Sequence, residues 1–304
     1  MATSSFPRLT ASGHELDTAP EHFGELRSSI DLIDDVSSLK QRLAEDGYLY
    51  LPGYLDRDEV LEARAVITDR LAAEGALESG TPPIEAIVRA GVDFKFRPDL
   101  ARDNAPLDQL LYSGRMMAFY ERFLGGPVLH FDYTWLRAVA PGRGTAPHGD
   151  SVFMNRGTSN LYTAWVPLGD ISYELGGLIV LERSHRLDEI KSTYGQRDVD
   201  TYCANHDDAA LYASGEKWWN GQLSDNPFTL QRQFGLRWLT GEFKAGDLLT
   251  FTLYTLHGSL DNHSDRVRIS SDSRYQLASE AVDERWIGAN PIGHGAAGKR
   301  GRIC

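Results

Sequence analysis

Apolar positions in the first third of the chain recur with a helical period. Val36, Leu39 and Leu43 fall on one face of a stretch running from Val36 to Glu45, which closes near Gly47. Tyr48 to Leu51 then alternates as a short strand and stops at Pro52-Gly53. Asp56, with Glu59 three residues on, has the form of a capping box. The helix it opens runs to about Ala76, with Val60, Ala63, Val66, Ile67 and Leu71 on one side. A further helix is predicted from Leu107 to Leu124, ended by Gly125-Gly126.

After Pro127 the period changes. Short β-type runs follow at Val128 to Val139, Asn160 to Leu168, Leu178 to Leu181, Leu239 to Phe243, Leu248 to Leu253 and Val267 to Tyr275. Pro141-Gly142, Gly176-Gly177 and Ala245-Gly246-Asp247 punctuate them, the pattern of a sandwich or barrel. Residues 1–35 read as an arm. Residues 36–304 read as one domain, with a helical part over 36–126 and a β core over 127–280. That core is interrupted at about 186–235 by a polar, aromatic insertion carrying Tyr194, Tyr202, Tyr212, Trp218 and Trp219. An insertion of that length in a compact β domain is expected to be a lid or binding loop.

Composition narrows the class. Hydrophobic residues make up 41% of the chain, enough for a sizeable core and too many for a disordered one. The net charge of -12 leaves no basic stripe for nucleic acid. The longest apolar run, Leu248 to Leu256, is interrupted by threonines and too short to cross a bilayer. No secretory pattern opens the chain. Cys203 and Cys304 are too few for a disulfide framework and not spaced for zinc, so a soluble cytoplasmic protein with reduced thiols is expected.

The candidate chemistry lies in the histidines. On a strand, residues i and i+2 point to the same side about 7 Å apart, so His-x-Asp can offer an imidazole and a carboxylate to one ion. A second histidine from a neighbouring strand would complete a 2-His-1-carboxylate triad, which suits non-haem Fe(II) because one face stays open. Nine histidines and 26 aspartates would give about one His-x-Asp by chance; the chain has four, beginning at His130, His148, His206 and His263. His206 lies in the polar insertion, and His263 in a turn-like run where side-chain capping is the expected job. His130-x-Asp132, in a strand-like run, is the serious rival to His148-Gly149-Asp150. Spacing alone does not choose between them. Downstream, Tyr254-Thr-Leu-His257-Gly-Ser259 offers a further histidine. Arg266 and Arg268, on one face by period two, offer the planar fork a keto acid's far carboxylate would need.

These segments, taken in order, resemble one family. His148-Gly-Asp150, Tyr162-Thr-Ala-Trp165-Val-Pro-Leu, Gly176-Gly-Leu-Ile-Val-Leu-Glu-Arg-Ser-His185, Gly246-Asp247, His257-Gly-Ser259, Asn262 and Arg268 are similar to the phytanoyl-CoA dioxygenase family of Fe(II)- and 2-oxoglutarate-dependent oxygenases, over roughly Gly47 to Gln276. The resemblance implies a mainly β fold with flanking helices, a double-stranded β-helix of the jelly-roll, cupin-like kind. It implies His148, Asp150 and His257 as iron ligands, Arg268 on the far carboxylate of 2-oxoglutarate with Ser259 adding a hydroxyl, and Trp165 and Trp135 lining the cosubstrate pocket. The cofactors would be Fe(II), 2-oxoglutarate and O2, and the expected reaction is hydroxylation of an unactivated C–H of a small-molecule metabolite with release of succinate and CO2. Desaturation, cyclisation and epimerisation use the same oxidant, and a keto-acid-independent cupin-type metalloenzyme is the rival class. Halogenation is disfavoured, because there a small residue replaces the carboxylate. The chain departs from the family at Glu182-Arg183-Ser184-His185, where Pro-Gly-Ser-His is usual; His185 and Asn262 are expected in turns.

Overall fold

In the computed structural model, which describes residues 6–304, two sheets face one another and helices cover the outer side of the larger. The larger sheet runs Tyr48–Leu51, Leu248–Thr252, Tyr162–Pro167, Arg268–Leu277, and beyond the last strand both Trp135–Val139 and Val128–His130. The smaller runs His257–Ser259, Leu178–Leu181, Trp238–Thr240 and Phe23–Glu25. This is a double-stranded β-helix. Strand alternation sorts the side chains: Leu49, Leu51, Ala164, Val166, Ile269 and Tyr275 pack outward with Val60, Ile67, Leu111, Phe119 and Phe123 of the helices. Trp165, Leu249, Phe251, Leu178 and Val180 pack inward between the sheets.

The helices start where local chemistry supports them. Asp35 caps Val36–Asp46 by accepting from Ser38, and Asp56 caps Arg57–Ala73 by accepting from Asp58 and Glu59. The single helix expected over 107–124 is two, Ala105–Tyr112 and Gly114–Leu124. Ser113 is extended and Gly114 takes a φ of 51°, which breaks the helical ladder. The run from Val128 to Val139 also divides. His130 pairs with Tyr275 and Trp135 with Asp272, so four residues on one strand oppose two on the other, and the excess bulges out.

The amino-terminal segment does more than cross the surface. Phe23–Glu25 pairs in parallel with Trp238–Thr240 as the edge of the smaller sheet, and Phe23 is buried. Residues 186–235 carry three short α-helices, Asp188–Ser192, Ala209–Ser214 and Pro227–Phe234, a 3-10 turn, Tyr194–Gln196, and a strand, Thr201–Cys203. That strand pairs in parallel with Arg300–Arg302 near the chain end. The expectation of two free thiols is corrected here: Cys203 and Cys304 are joined in a disulfide, with Cα atoms 5.4 Å apart. A separation of 101 residues hid the pairing, which the parallel strands bring about. No helix among the described residues is long and apolar enough to cross a membrane.

Candidate active site

His148 and His257 lie opposite one another as an isolated antiparallel bridge, each backbone N–H donating to the other's carbonyl at 2.9 Å. The pairing brings their rings together, 4.3 Å between centroids. Each ring is then oriented by its own backbone. His148 Nδ1 lies 2.8 Å from Ala146 O and His257 Nδ1 lies 3.0 Å from Thr255 O; a carbonyl only accepts, so both rings carry the proton on Nδ1 and leave Nε2 free. Asp150 follows in a short 3-10 turn, Asp150–Val152, and its Oδ1 lies 3.9 Å from His257 Nε2. One potential ligand atom from each of His148, Asp150 and His257 falls within 4.8 Å of the others, and all three residues are buried.

Register supplies the supporting groups. Thr163 and Arg274 are cross-strand partners on the inward face of the large sheet. Thr163 Oγ1 donates to Asp150 Oδ2 at 2.5 Å and Arg274 Nη2 donates to the same oxygen at 3.0 Å. One carboxylate oxygen is thereby held and the other points at the histidines. Burial raises the cost of ionising Asp150, but Arg274, His257 and His148, with the Thr163 bond, hold its carboxyl well below the usual range. Burial, reinforced by His257, pushes His148 down to about 3, and burial likewise lowers His257. At neutral pH the set is two neutral imidazoles and one carboxylate, the protonation state a divalent metal requires. Phe153 stands edge-on to His148 at 5.7 Å, and the Phe251 ring lies 4.5 Å from that of His257. Both rings set apolar surface against the two histidines.

The strand Arg268–Leu277 turns Arg268, Ser270, Asp272, Arg274 and Gln276 to the interior by alternation. Arg268 is 1% exposed; its Nη1 donates to Ser270 Oγ at 2.8 Å, while Nε and Nη2 have no protein partner. Those two nitrogens form one edge of the guanidinium, the edge that grips a carboxylate with two parallel bonds. An unpaired buried cation is costly unless a ligand completes it. Burial first, and Arg137 beside it, lower Arg268 to about 10, still protonated at neutral pH. Arg266, offered by the sequence on the same face, is exposed.

The remaining expected residues fall as follows. Trp165 and Trp135 both lie across from Asp272, one on each neighbouring strand. Trp165 packs on Phe243 and its buried Nε1 has no partner; Trp135 carries the Arg274 guanidinium 4.4 Å above its ring. Ser259 Oγ accepts from Thr145 N at 2.8 Å. His130, the rival, stacks on Tyr112 at 4.2 Å, and Asp132 accepts from Gly288 N, so that pair braces a loop. His263 bonds Thr10, and Asp208 pairs with Lys217. His185 meets Ala44 O at 3.1 Å, and Asn262 spans its turn by bonding Val139 O and Arg266 O. Gly149 is not a steric necessity, since a Cβ there would meet Leu256 and Tyr194 at 3.5 Å, an ordinary contact.

The profile of the phytanoyl-CoA dioxygenase (PhyH) family matches residues 43–270. The chain belongs to that family. It is accordingly an oxygenase of the non-haem, 2-oxoglutarate-dependent class. Among curated proteins it is similar to two enzymes named 1-deoxypentalenic acid 11-beta-hydroxylase. The one from Streptomyces exfoliatus is 27% identical over 261 residues, 82% of this chain and 83% of that protein. The one from Streptomyces arenae is 25% identical over 270 residues, 84% and 87%. Solved structures with the same fold include the 2-oxoglutarate-dependent epimerase SnoN of nogalamycin biosynthesis (TM-score 0.54, 22% identity, 86% of this chain and 95% of that one). The carbocyclase SnoK of the same biosynthesis (0.56, 21%, 82% and 88%) and EctD from S. alaskensis (0.55, 17%, 96% and 92%) share it too.

Arg274 and Thr163 were not found by sequence reasoning. The signal available was the run of polar residues at period two from Arg268 onward, with Thr163 on the same face as Trp165 one strand over.

Proposed function

We propose that this protein hydroxylates an unactivated C–H of a small organic metabolite, with His148, Asp150 and His257 holding Fe(II) and Arg268 holding 2-oxoglutarate. The observation that carries the reading is the convergence of two Nε2 atoms and one free carboxylate oxygen, each aimed by a hydrogen bond on its far side. This donor set of nitrogen and oxygen suits ferrous iron and leaves one face open. When bound, iron with 2-oxoglutarate and O2 supplies an oxidant for the C–H bond; one oxygen atom enters the product as hydroxyl and the other enters succinate, with CO2 released.

The protein's own contribution is orientation and exclusion of water. His148 and His257 present Nε2 because their Nδ1 protons are committed to backbone carbonyls. Thr163 and Arg274 hold Asp150 Oδ2, so Oδ1 faces the metal position. Arg268 offers its free Nε/Nη2 edge to the far carboxylate of the keto acid, which supports a keto-acid enzyme over a cupin that uses none. Trp165 and Trp135 wall the cosubstrate space from neighbouring strands, and the Ser259 hydroxyl, having accepted from Thr145, keeps its own proton to donate. The carboxylate of Asp150 fills the position that halogenation would require vacant. The Streptomyces relatives are named for an acid, so 1-deoxypentalenic acid is the first compound to try, within a wider panel of small metabolites. Residues 186–235 are the segment we assign to substrate choice.

The test is an anaerobic titration of the apoprotein with Fe(II) and then 2-oxoglutarate. Growth of a weak visible charge-transfer band is expected, followed on adding O2 by succinate formation that a true substrate accelerates. Iron uptake without any effect of 2-oxoglutarate would instead favour the keto-acid-independent class.

A further inference from the structure

The insertion is fastened to the loop that carries two of the three ligands. Leu223 N donates to Pro147 O at 2.9 Å and Val199 N to Val152 O at 3.0 Å. Arg156 pairs with Asp198 at 2.7 Å, and Asn155 Nδ2 bonds Arg197 O at 2.8 Å. At the centre of these contacts stands Tyr194. Its hydroxyl accepts from Gly149 N at 3.0 Å and donates to Gly221 O at 2.5 Å. Gly149 lies between His148 and Asp150, so this one oxygen ties the backbone joining the two residues to the far end of the insertion.

The tie is rigid at both ends. Tyr194 is 6% exposed, and its ring meets Trp219 edge-on at 5.8 Å, while Arg197 lies 3.6 Å over the Trp219 face. Gly221 has a φ of 76°, and a Cβ there would fall 2.2 Å from the Phe153 ring, the ring that stands against His148. Burial holds the Tyr194 hydroxyl far above its ordinary pKa, so it keeps the proton it donates. Without this hydroxyl the buried Gly149 N–H has no partner, and the peptide between the two ligands is held only from its flanks, by the His148–His257 bridge and by Ser151 N on Leu253 O.

We propose that Tyr194 is a positioning residue of the metal centre, setting the angle between His148 and Asp150 through the Gly149 amide. The inference rests on the ligand assignment above. Through it the insertion, besides meeting substrate, sets the geometry of the ion: whatever orders residues 219–223 tightens the ligand loop, and metal binding must in turn order residues 219–223.

Tyr194→Phe removes the oxygen alone. Tyr120→Phe is its control, because that side chain is also buried and its hydroxyl, reaching from a helix, bonds Thr250 at 2.6 Å on the helix-covered side of the large sheet. In the metal-free protein, hydrogen exchange of peptides covering 147–153 is expected to accelerate in Tyr194→Phe and not in Tyr120→Phe. With Co(II) as probe, affinity should fall about tenfold, the low end of outer-shell effects, and the d–d absorption should change shape. In the wild type, adding Co(II) should slow exchange at 219–223 as well as at 147–153. Unchanged exchange at 147–153 would overturn the proposal. So would altered exchange with Co(II) affinity and spectrum unmoved, since that is a purely structural tie. A wild-type protein that takes up no Co(II) is a different failure, visible before any variant is compared, and it removes the ligand assignment and this inference together.

Discussion

Thr163 and Arg274 face one another across paired strands and hold the same oxygen of Asp150, at 2.5 and 3.0 Å. Because the pair is fixed by sheet register, the carboxylate is aimed by two interior strands of the larger sheet. Thr163→Val and Arg274→Met should each weaken Fe(II) or Co(II) binding by about 10- to 100-fold, as outer-shell losses do. Their effects should fall short of additive in the double variant, since both act on one oxygen. Strict additivity in a metal titration would mean that the two act on separate groups.

The choice among the His-x-Asp pairs is settled by separate substitutions. His148→Ala and His257→Ala should lose iron by more than the roughly 100-fold upper end of outer-shell effects. His130→Ala should leave iron stoichiometry unchanged and cost only loop packing against Tyr112. Loss of iron in His130→Ala alone would move the centre elsewhere.

Arg268→Lys should behave much like Arg268→Ala toward 2-oxoglutarate. Lysine offers a point charge where the geometry provides a two-pronged edge. Removing a buried charged partner costs about 2–5 kcal/mol, so the 2-oxoglutarate KM should rise by some 30-fold or more while Fe(II) binding without the keto acid is retained. A KM close to wild type in Arg268→Ala would place the keto acid against another cation.

The protonation states make a calorimetric prediction. His148 and His257 are lowered below their ordinary value and Asp150 is lowered below its own, so at pH 7 all three are ready to bind and no proton has to leave. Metal titration at pH 7 should give the same enthalpy in buffers of different ionisation heat. The same shifts act on folding. Between about 3 and 6.5 the unfolded chain takes up the His148 proton that the folded protein refuses, so apoprotein stability rises with pH through that window and falls as the pH drops toward 3. In urea titrations across pH 4–7, His148→Gln should show a shallower slope than wild type.

Native protein should show no thiol reactive with Ellman's reagent, since Cys203 and Cys304 are joined. Reduction should loosen Arg300–Arg302 from Thr201–Cys203, visible as faster exchange in both segments. Two titratable thiols in the native protein would contradict the pairing.

The parts of the site named from sequence are assigned through the ordered family resemblance, and each also sits beside a local marker. His148 follows a Pro-Gly-Arg-Gly entry, His257 follows an apolar strand, and Arg268 opens a β run. Arg274 has no such marker, because an arginine inside a strand reads equally well as a surface ion pair until the register shows that its face is the interior. Tyr194 is less legible still. Its partners are two backbone groups, Gly149 N and Gly221 O, and nothing in side-chain chemistry announces them. The helix break at Ser113-Gly114 was hidden because the apolar period continues across it through Met116 and Phe119. At Arg183 the family's usual glycine is replaced, yet the backbone keeps a φ of 57°, so the turn survives a residue that strains it. Arg183→Gly is therefore expected to stabilise the protein by about 1 kcal/mol.

The outermost strand of the smaller sheet, Phe23–Glu25, comes from a segment easily mistaken for a dispensable leader. Trimming the chain to residue 36 would strip the main-chain groups of Trp238–Thr240 of their neighbour and leave a raw sheet margin beside a tryptophan. The shortened protein should clump with copies of itself well before it melts.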